Sequence, residues 1–522
     1  MAPAPDGIVS AALRPGLVGL LLLFGLAAAP ATLVAGSARL DADDARHLLS
    51  RTGFGPTSAE VVSYTGLTRA EAATLLLATA RRTAVTEPPP SATDAAPLHP
   101  PRGDETPLAE RQAFFRQQAQ EALELRAWWV REMIVTPSPL TERMTLLWHN
   151  HFVSAQPKVR VTRLMYRQNV TLREHALGSF AALLRAIARD PAMVIYLDGA
   201  QNRRGAPNEN FAREVMELFT LGEGHYGEQD VKEAARAFTG TSLVRETGQF
   251  VFRPGLHDGG SKTVLGTTGR LDGDAVIDIL LAQPQTAIHV TSRLWREFVS
   301  PDPDPAVVER LARGFRQSGY DIRGLLHDLL TEDAFYAPEN RGTLVKSPVE
   351  LVVGTLRQLE VTPSATLPLA VMAAGMGQNL FAPPNVKGWP GGEQWINSAS
   401  LLARKQYLDR LLRVDEKATT GMAAAGADGT AMRPADAAVA ADAAGERRAR
   451  AAFQRRMEGA AANLQFDSAR WLAALPGATP AEHARSARRL LLPIDPPDSP
   501  PADATPQAIV RALLQEPAYQ LK

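Results

Sequence analysis

The stretch from Ala206 to Gly224 sets three carboxylates, an arginine and two asparagines at the start of one amphipathic helix. Asn208, behind Pro207, suits the N-cap, because its side chain can accept a free amide of the first turn. Glu209 then sits where the helix dipole favours negative charge. At about 100° per residue, Phe211, Val215, Leu218 and Phe219 share one face. Asn210, Arg213, Glu214 and Glu217 share the other, with Leu221 among them. Two chemistries are open to that polar stripe. Facing water, it is a solvated surface with an Arg213–Glu217 pair at i,i+4. Facing a shielded cavity, it offers Glu214 and Glu217 as acid, base or metal ligands, with Asn208, Asn210 and Arg213 as binding groups.

Three further clusters carry chemistry-bearing residues. Trp148-His149-Asn150-His151-Phe152 places two histidines at i,i+2. On a helix those side chains point about 200° apart, whereas a helical metal pair needs i,i+4. His151 falls on the apolar face with Met144, Leu147 and Trp148. If the helix ended near Asn150, both rings could converge on a divalent metal; otherwise His151 is a hydrogen-bonded wall of the core. His257-Asp258, in a glycine-rich loop with Lys262 four residues after Asp258, reads either as catalytic groups on a scaffolded loop or as a self-bonded turn. Trp389, within Asn385-Val386-Lys387-Gly388-Trp389-Pro390, either stacks on a planar ligand or plugs the core. No nucleophile elbow, phosphate-binding glycine loop, dinucleotide fingerprint or His-Glu-x-x-His motif occurs.

Taken together, the Ala206–Gly224 string, Trp148–Phe152 and His257–Lys262 resemble a large bacterial family catalogued as domain of unknown function 1800. Arg51–Thr57, Arg173–His175 and Tyr196–Asp198 fit the same pattern. The resemblance runs from about Leu40 to Arg413 and weakens beyond. It implies an exported protein, with an exported partner encoded nearby, and it assigns no activity. The chain departs from the family in a proline-rich loop near Pro88 and an insertion near Gly421. A third departure is at Val386–Lys387, where the family typically carries an acid.

The elements that must position these residues are mostly helical. Apolar periodicity predicts helices from Leu40 onward, giving an all-α class with one small β-hairpin near 250–265. Phe250–Arg253 and Thr263–Leu265 are its expected strands. The organisation expected is a signal peptide over residues 1–31 and a main helical domain over 38–414 with a proline-rich loop at 85–107. An alanine- and glycine-rich insertion at 415–446 follows, predicted to be disordered, and then C-terminal helices at 447–522 that pack on the main domain. The apolar run Leu17–Ala29 behind Arg14, ending in Ala29-Pro30-Ala31, is the signal sequence. It points to a periplasmic or secreted protein with no membrane span once it is removed. Lys plus Arg and Asp plus Glu are 56 each, so no global field recruits nucleic acid. Cysteine is absent, which excludes disulfides and thiol nucleophiles. Two functional expectations stand. One is a hydrolase-like or metal-assisted enzyme built on Glu214, Glu217, His149, His151, His257 and Asp258. The other is a non-catalytic periplasmic partner or carrier whose motifs are structural.

Overall fold

Short helices with side-chain caps build most of the computed structural model, which describes residues 38–93, 107–244, 246–417, 466–496 and 504–522. The signal segment and nearly all of the stretch 415–446 lie outside those residues. Local sequence explains the helix starts. The Asp41 carboxylate accepts from Asp44 N to begin Ala42–Thr52. Thr57 with Glu60 and Thr68 with Glu71 form reciprocal capping boxes at Ser58–Tyr64 and Arg69–Ala78. Asp190 caps Pro191–Tyr196 through Met193 N, with proline at the first turn.

The long helix Leu108–Val135 and the helix Pro139–His151 cross the centre of the core, where Trp129, Met133, Met144 and Trp148 are fully buried. Part of the proline-rich loop joins this core. Val85 N and Thr86 N donate to the buried Glu132 carboxylate, and Pro90–Thr93 forms a helical turn. The C-terminal helices pack on the buried helix Pro348–Gln358. Trp471 Nε1 donates to Gln358 O at 3.0 Å, and the Tyr519 hydroxyl donates to Thr355 Oγ1 at 2.8 Å.

The β content is small and antiparallel, and it forms two ribbons. β1 (Thr241–Leu243) pairs with β2 (Phe250–Phe252), and β3 (Lys262–Val264) pairs with β4 (Thr267–Gly269). The two strands expected from sequence are present but do not pair with each other. Each finds a closer partner across a tight turn, as short loops favour. Among the described residues no helix is long and apolar enough to cross a membrane.

Candidate functional site

The polar helix starts later than its sequence suggests and then changes pitch. Asn208 Oδ1 accepts from Asn210 N at 2.9 Å, and regular α-helix covers only Asn210–Glu214. Val215–Thr220 continue as a π-helical turn, in which Leu221 N bonds Met216 O at 2.8 Å. The wider turn advances the register by one residue. Leu221, which uniform pitch would place among the carboxylates, is therefore turned inward and only 1% exposed. A helix end leaves carbonyls without intrahelical partners. Two of them are taken by histidines: His289 Nε2 bonds Leu218 O and His151 Nε2 bonds Phe219 O, each at 3.1 Å. A carbonyl only accepts, so both rings carry their proton on Nε2. Burial, reinforced by Arg293, holds His151 well below the usual histidine range, and burial also lowers His289. Gly222 completes the turn at φ 84°, and a β-carbon there would lie 3.0 Å from His289 Nδ1.

Glu214 and Glu217 project from this turn and are partly buried. The Tyr226 hydroxyl donates to Glu217 Oε2 at 2.7 Å, and burial plus that bond push the phenol up to about 12. Burial and the neighbouring Glu217 raise the Glu214 carboxyl above the ordinary glutamate value, against the opposing charges of Arg213 and Lys387. Tyr196 is raised by burial and by Glu214. The expected Arg213–Glu217 pair does not form. Arg213 bonds Glu209 at 3.1 Å and Glu228 at 2.7 and 2.9 Å, which leaves Glu217 to the tyrosine. Asn210 reaches Asp198 at 3.3 Å, and Asp198 pairs with Lys158 at 2.8 Å. Thus Glu214, Glu217, Tyr226, Tyr196 and Lys387 form one electrostatic group.

Lys387 is placed there by the Trp148–Phe152 motif. Asn150 Oδ1 accepts from Trp389 N at 2.6 Å, while Arg293 holds Asn150 O at 3.1 Å. Gly388 makes this approach possible: its φ is 89°, and a β-carbon would fall 2.1 Å from Asn150 Oδ1. Trp389 is 4% exposed and serves as a core plug.

The two histidines of that motif point apart, as helical spacing requires. His149 ends a buried chain of bonds. Trp129 and Arg173 both donate to Glu142, Arg173 also donates to Asn169 Oδ1 at 2.7 Å, and Asn169 Nδ2 donates to His149 Nε2 at 3.0 Å. Burial, then the Arg173 charge, lowers His149 to about 3, so the ring is neutral. With His151 committed to Phe219 O, the pair presents no shared face to a metal. Among the described residues no group of three or more histidine or carboxylate side chains converges on one point.

The glycine-rich loop is bonded to itself and to its neighbours. His257 Nδ1 bonds Thr239 O at 2.9 Å. Asp258 accepts from Arg236 Nε at 2.8 Å and Gly260 N at 2.9 Å, and the Arg236 bond leads in lowering its carboxyl to about 2. Lys262, 1% exposed, spends its ammonium on Asp258 O and Gly260 O. These residues bond at the C-terminal end of helix Glu228–Ala237, whereas Tyr226 and Glu217 meet just before its N-terminal end. That helix spans about 15 Å. Among the described residues the hydrogen bonds of His257, Asp258 and Lys262 go to Thr239, Arg236, Gly260 and the loop's own carbonyls rather than to Glu214 or Glu217. Beside the loop lies a cleft of about 340 Å³, lined by Phe238, Phe250, Phe252, Thr239, Arg189 and Asp274.

Sequence reasoning missed Tyr226 and His289, and it marked Tyr196 only as part of a family motif and not as a site residue. The two tyrosines lie across turns from the carboxylates and His289 is remote in the chain, and no spacing rule marks them. Comparison with curated proteins and with solved structures gave no match. The family profile described as "Protein of unknown function (DUF1800)" matches residues 47–521. Covering nearly the whole chain, from the first capped helix to the tyrosine that closes the core, that match shows that the protein belongs to this family.

Proposed function

We propose that this is an exported acid–base enzyme of hydrolytic type, centred on Glu214, Glu217 and Tyr226. One observation carries the reading: a partly buried glutamate whose carboxyl is raised above its ordinary range by burial and a second glutamate, the second one oriented by a tyrosine hydroxyl. Two carboxylates with unlike environments are the usual basis for one to give a proton and the other to take one. Glu214 would protonate a leaving group. Glu217, fixed by Tyr226, would accept the proton of the attacking water. The π-turn supports this reading, because such turns occur frequently at functional sites. The metal-assisted variant is less well supported, because His149 and His151 are committed to Asn169 and Phe219 O. Export rests on the apolar run Leu17–Ala29.

Carbodiimide labelling read by mass spectrometry tests the centre. Glu214 should lose reactivity at higher pH than exposed carboxylates, and Glu217→Gln should move that midpoint down. A Glu214 midpoint matching exposed carboxylates would remove its acid role. Among chromogenic esters, glycosides and amides, any activity found should fall at least ~100-fold in Glu214→Gln and persist in His257→Ala. For export, the native protein should begin near Ala31 by mass; an intact Met1 would refute it.

The cleft of about 340 Å³ favours a second reading, a ligand carrier or partner protein, since its volume suits a small molecule and three phenylalanines line it. Ligand binding abolished by Phe250→Ala and untouched by Glu214→Gln would select it.

A further inference from the structure

Three parts of the chain, remote in sequence, meet around a void lined by cations. Arg46 comes from helix Ala42–Thr52, Lys346 from the turn before helix Pro348–Gln358, and Lys522 from the C-terminal segment. The void has a volume of about 10 Å³, enough for one small sphere. All three side chains are buried. Each spends one donor on the protein: Arg46 Nη2 on Pro493 O at 3.3 Å, Lys346 Nζ on Tyr519 O at 2.7 Å, and Lys522 Nζ on Glu350. A guanidinium has five N–H donors and an ammonium three. Arg46 Nε is buried without a partner.

Charge around the void is also unbalanced. Arg143, Arg51 and Arg404 lie buried in the same region. Among the described residues, the ion pairs in this region end on two carboxylates. Glu350 takes Arg143 and Lys522, and Glu297 takes Arg143. Among the described residues, Arg46, Lys346, Arg51 and Arg404 have no carboxylate within ion-pair distance, although Asp43 and Glu350 act on them from further away. Uncompensated buried charge is costly, and unsatisfied buried donors call for a water or an ion. A water would satisfy donors but would leave the lysines to relieve the charge by losing protons, since burial draws Lys346 down to about 7 and Lys522 to about 8. A monatomic anion would satisfy donors and balance the charge. Glu350, the one acidic side chain in the lining, is already engaged by Arg143, Lys522 and Ser347 N.

The geometry points to a halide site, with chloride as the physiological occupant, in the void between Arg46, Lys346 and Lys522. It clamps the N-terminal helix, the central buried helix and the C-terminal segment together. A polyatomic anion such as phosphate is too large for the void. The site is independent of the Glu214 centre.

The test uses the full chain. Crystals soaked in bromide should show an anomalous peak in the void. In solution at constant ionic strength, replacing gluconate by chloride should raise the melting temperature by about 1–3 °C. Arg46→Met should abolish that chloride-specific rise while remaining folded by circular dichroism. Should Arg46→Met not fold, Lys346→Met takes its place, and the bromide peak in the wild-type protein is read independently. No bromide peak in the void would overturn the site. So would equal melting temperatures in chloride and gluconate, or a chloride rise undiminished in the variant.

Discussion

Glu214 carries a negative charge in a place poorly suited to one. Burial and Glu217 favour its neutral form, while Arg213 and Lys387 only partly offset them. An acid whose carboxyl is raised in the folded state keeps its proton there longer than in the unfolded chain. Stability therefore falls as pH rises from the ordinary glutamate range through the raised value, and the full penalty stands above it. Glu214→Gln removes the penalty. Its melting temperature should exceed the wild type's at pH 8 and equal it at pH 4, as scanning calorimetry would show. A gain of the same size at pH 4 would mean that charge is not the cause. The stripe itself was legible, because Asn210, Arg213, Glu214 and Glu217 follow helical spacing. Its partners were not. Glu217 turned to Tyr226 rather than Arg213, since Arg213 had a better-placed acceptor in Glu228, which belongs to the next helix.

The π-turn and the Asn385–Gly392 loop are elements held from outside. Caps such as the boxes at Thr57 and Thr68 depend on residues three apart, so they are local features of a sequence. The π-turn was not readable, because its stabilising histidines stand at 151 and 289. The ribbon pairing was missed for a related reason: two plausible strands do not reveal which nearer strand each prefers. At the loop, Gly388 and Gly391 make a matched pair for experiment. Gly388→Ala meets both a left-handed backbone and Asn150 Oδ1, and should cost about 3 kcal/mol in urea unfolding. Gly391→Ala has open space and a negative φ, and should stay within about 0.5 kcal/mol. Equal costs would show that the loop is not fixed by Asn150.

At the scale of the whole molecule, among the described residues, buried and partly buried histidines that resist protonation outnumber the acids that resist ionisation. His47, His149, His151 and His289 are all lowered, chiefly by burial, whereas Asp190 is raised to about 7. Below the ordinary histidine value the unfolded chain takes up protons that the folded rings refuse, so stability drops as pH falls from about 6.5. Asp190 acts in the opposite sense between about 4 and 7, and Glu214 acts with it, but the histidines outnumber these two acids. Urea midpoints should therefore decline steadily from pH 7 to 5, and Asp190→Asn should steepen the decline. The helical class was visible from periodicity alone; this set of titratable side chains kept neutral by burial was not, because burial is set by the assembled fold.

The packing of the C-terminal segment bears on the order in which the chain is made. Glu350 waits for Lys522, and Thr355 for Tyr519, so the central buried helix is the last to be completed. A nascent chain leaving the ribosome cannot finish its core until residues near 520 have emerged. Until then Glu350 and Thr355 lack the partners that the C-terminal segment brings. Ending translation before residue 504 should yield a product that trypsin degrades at the rate of an unfolded chain. A truncated product as resistant as the full chain would show that the core closes early.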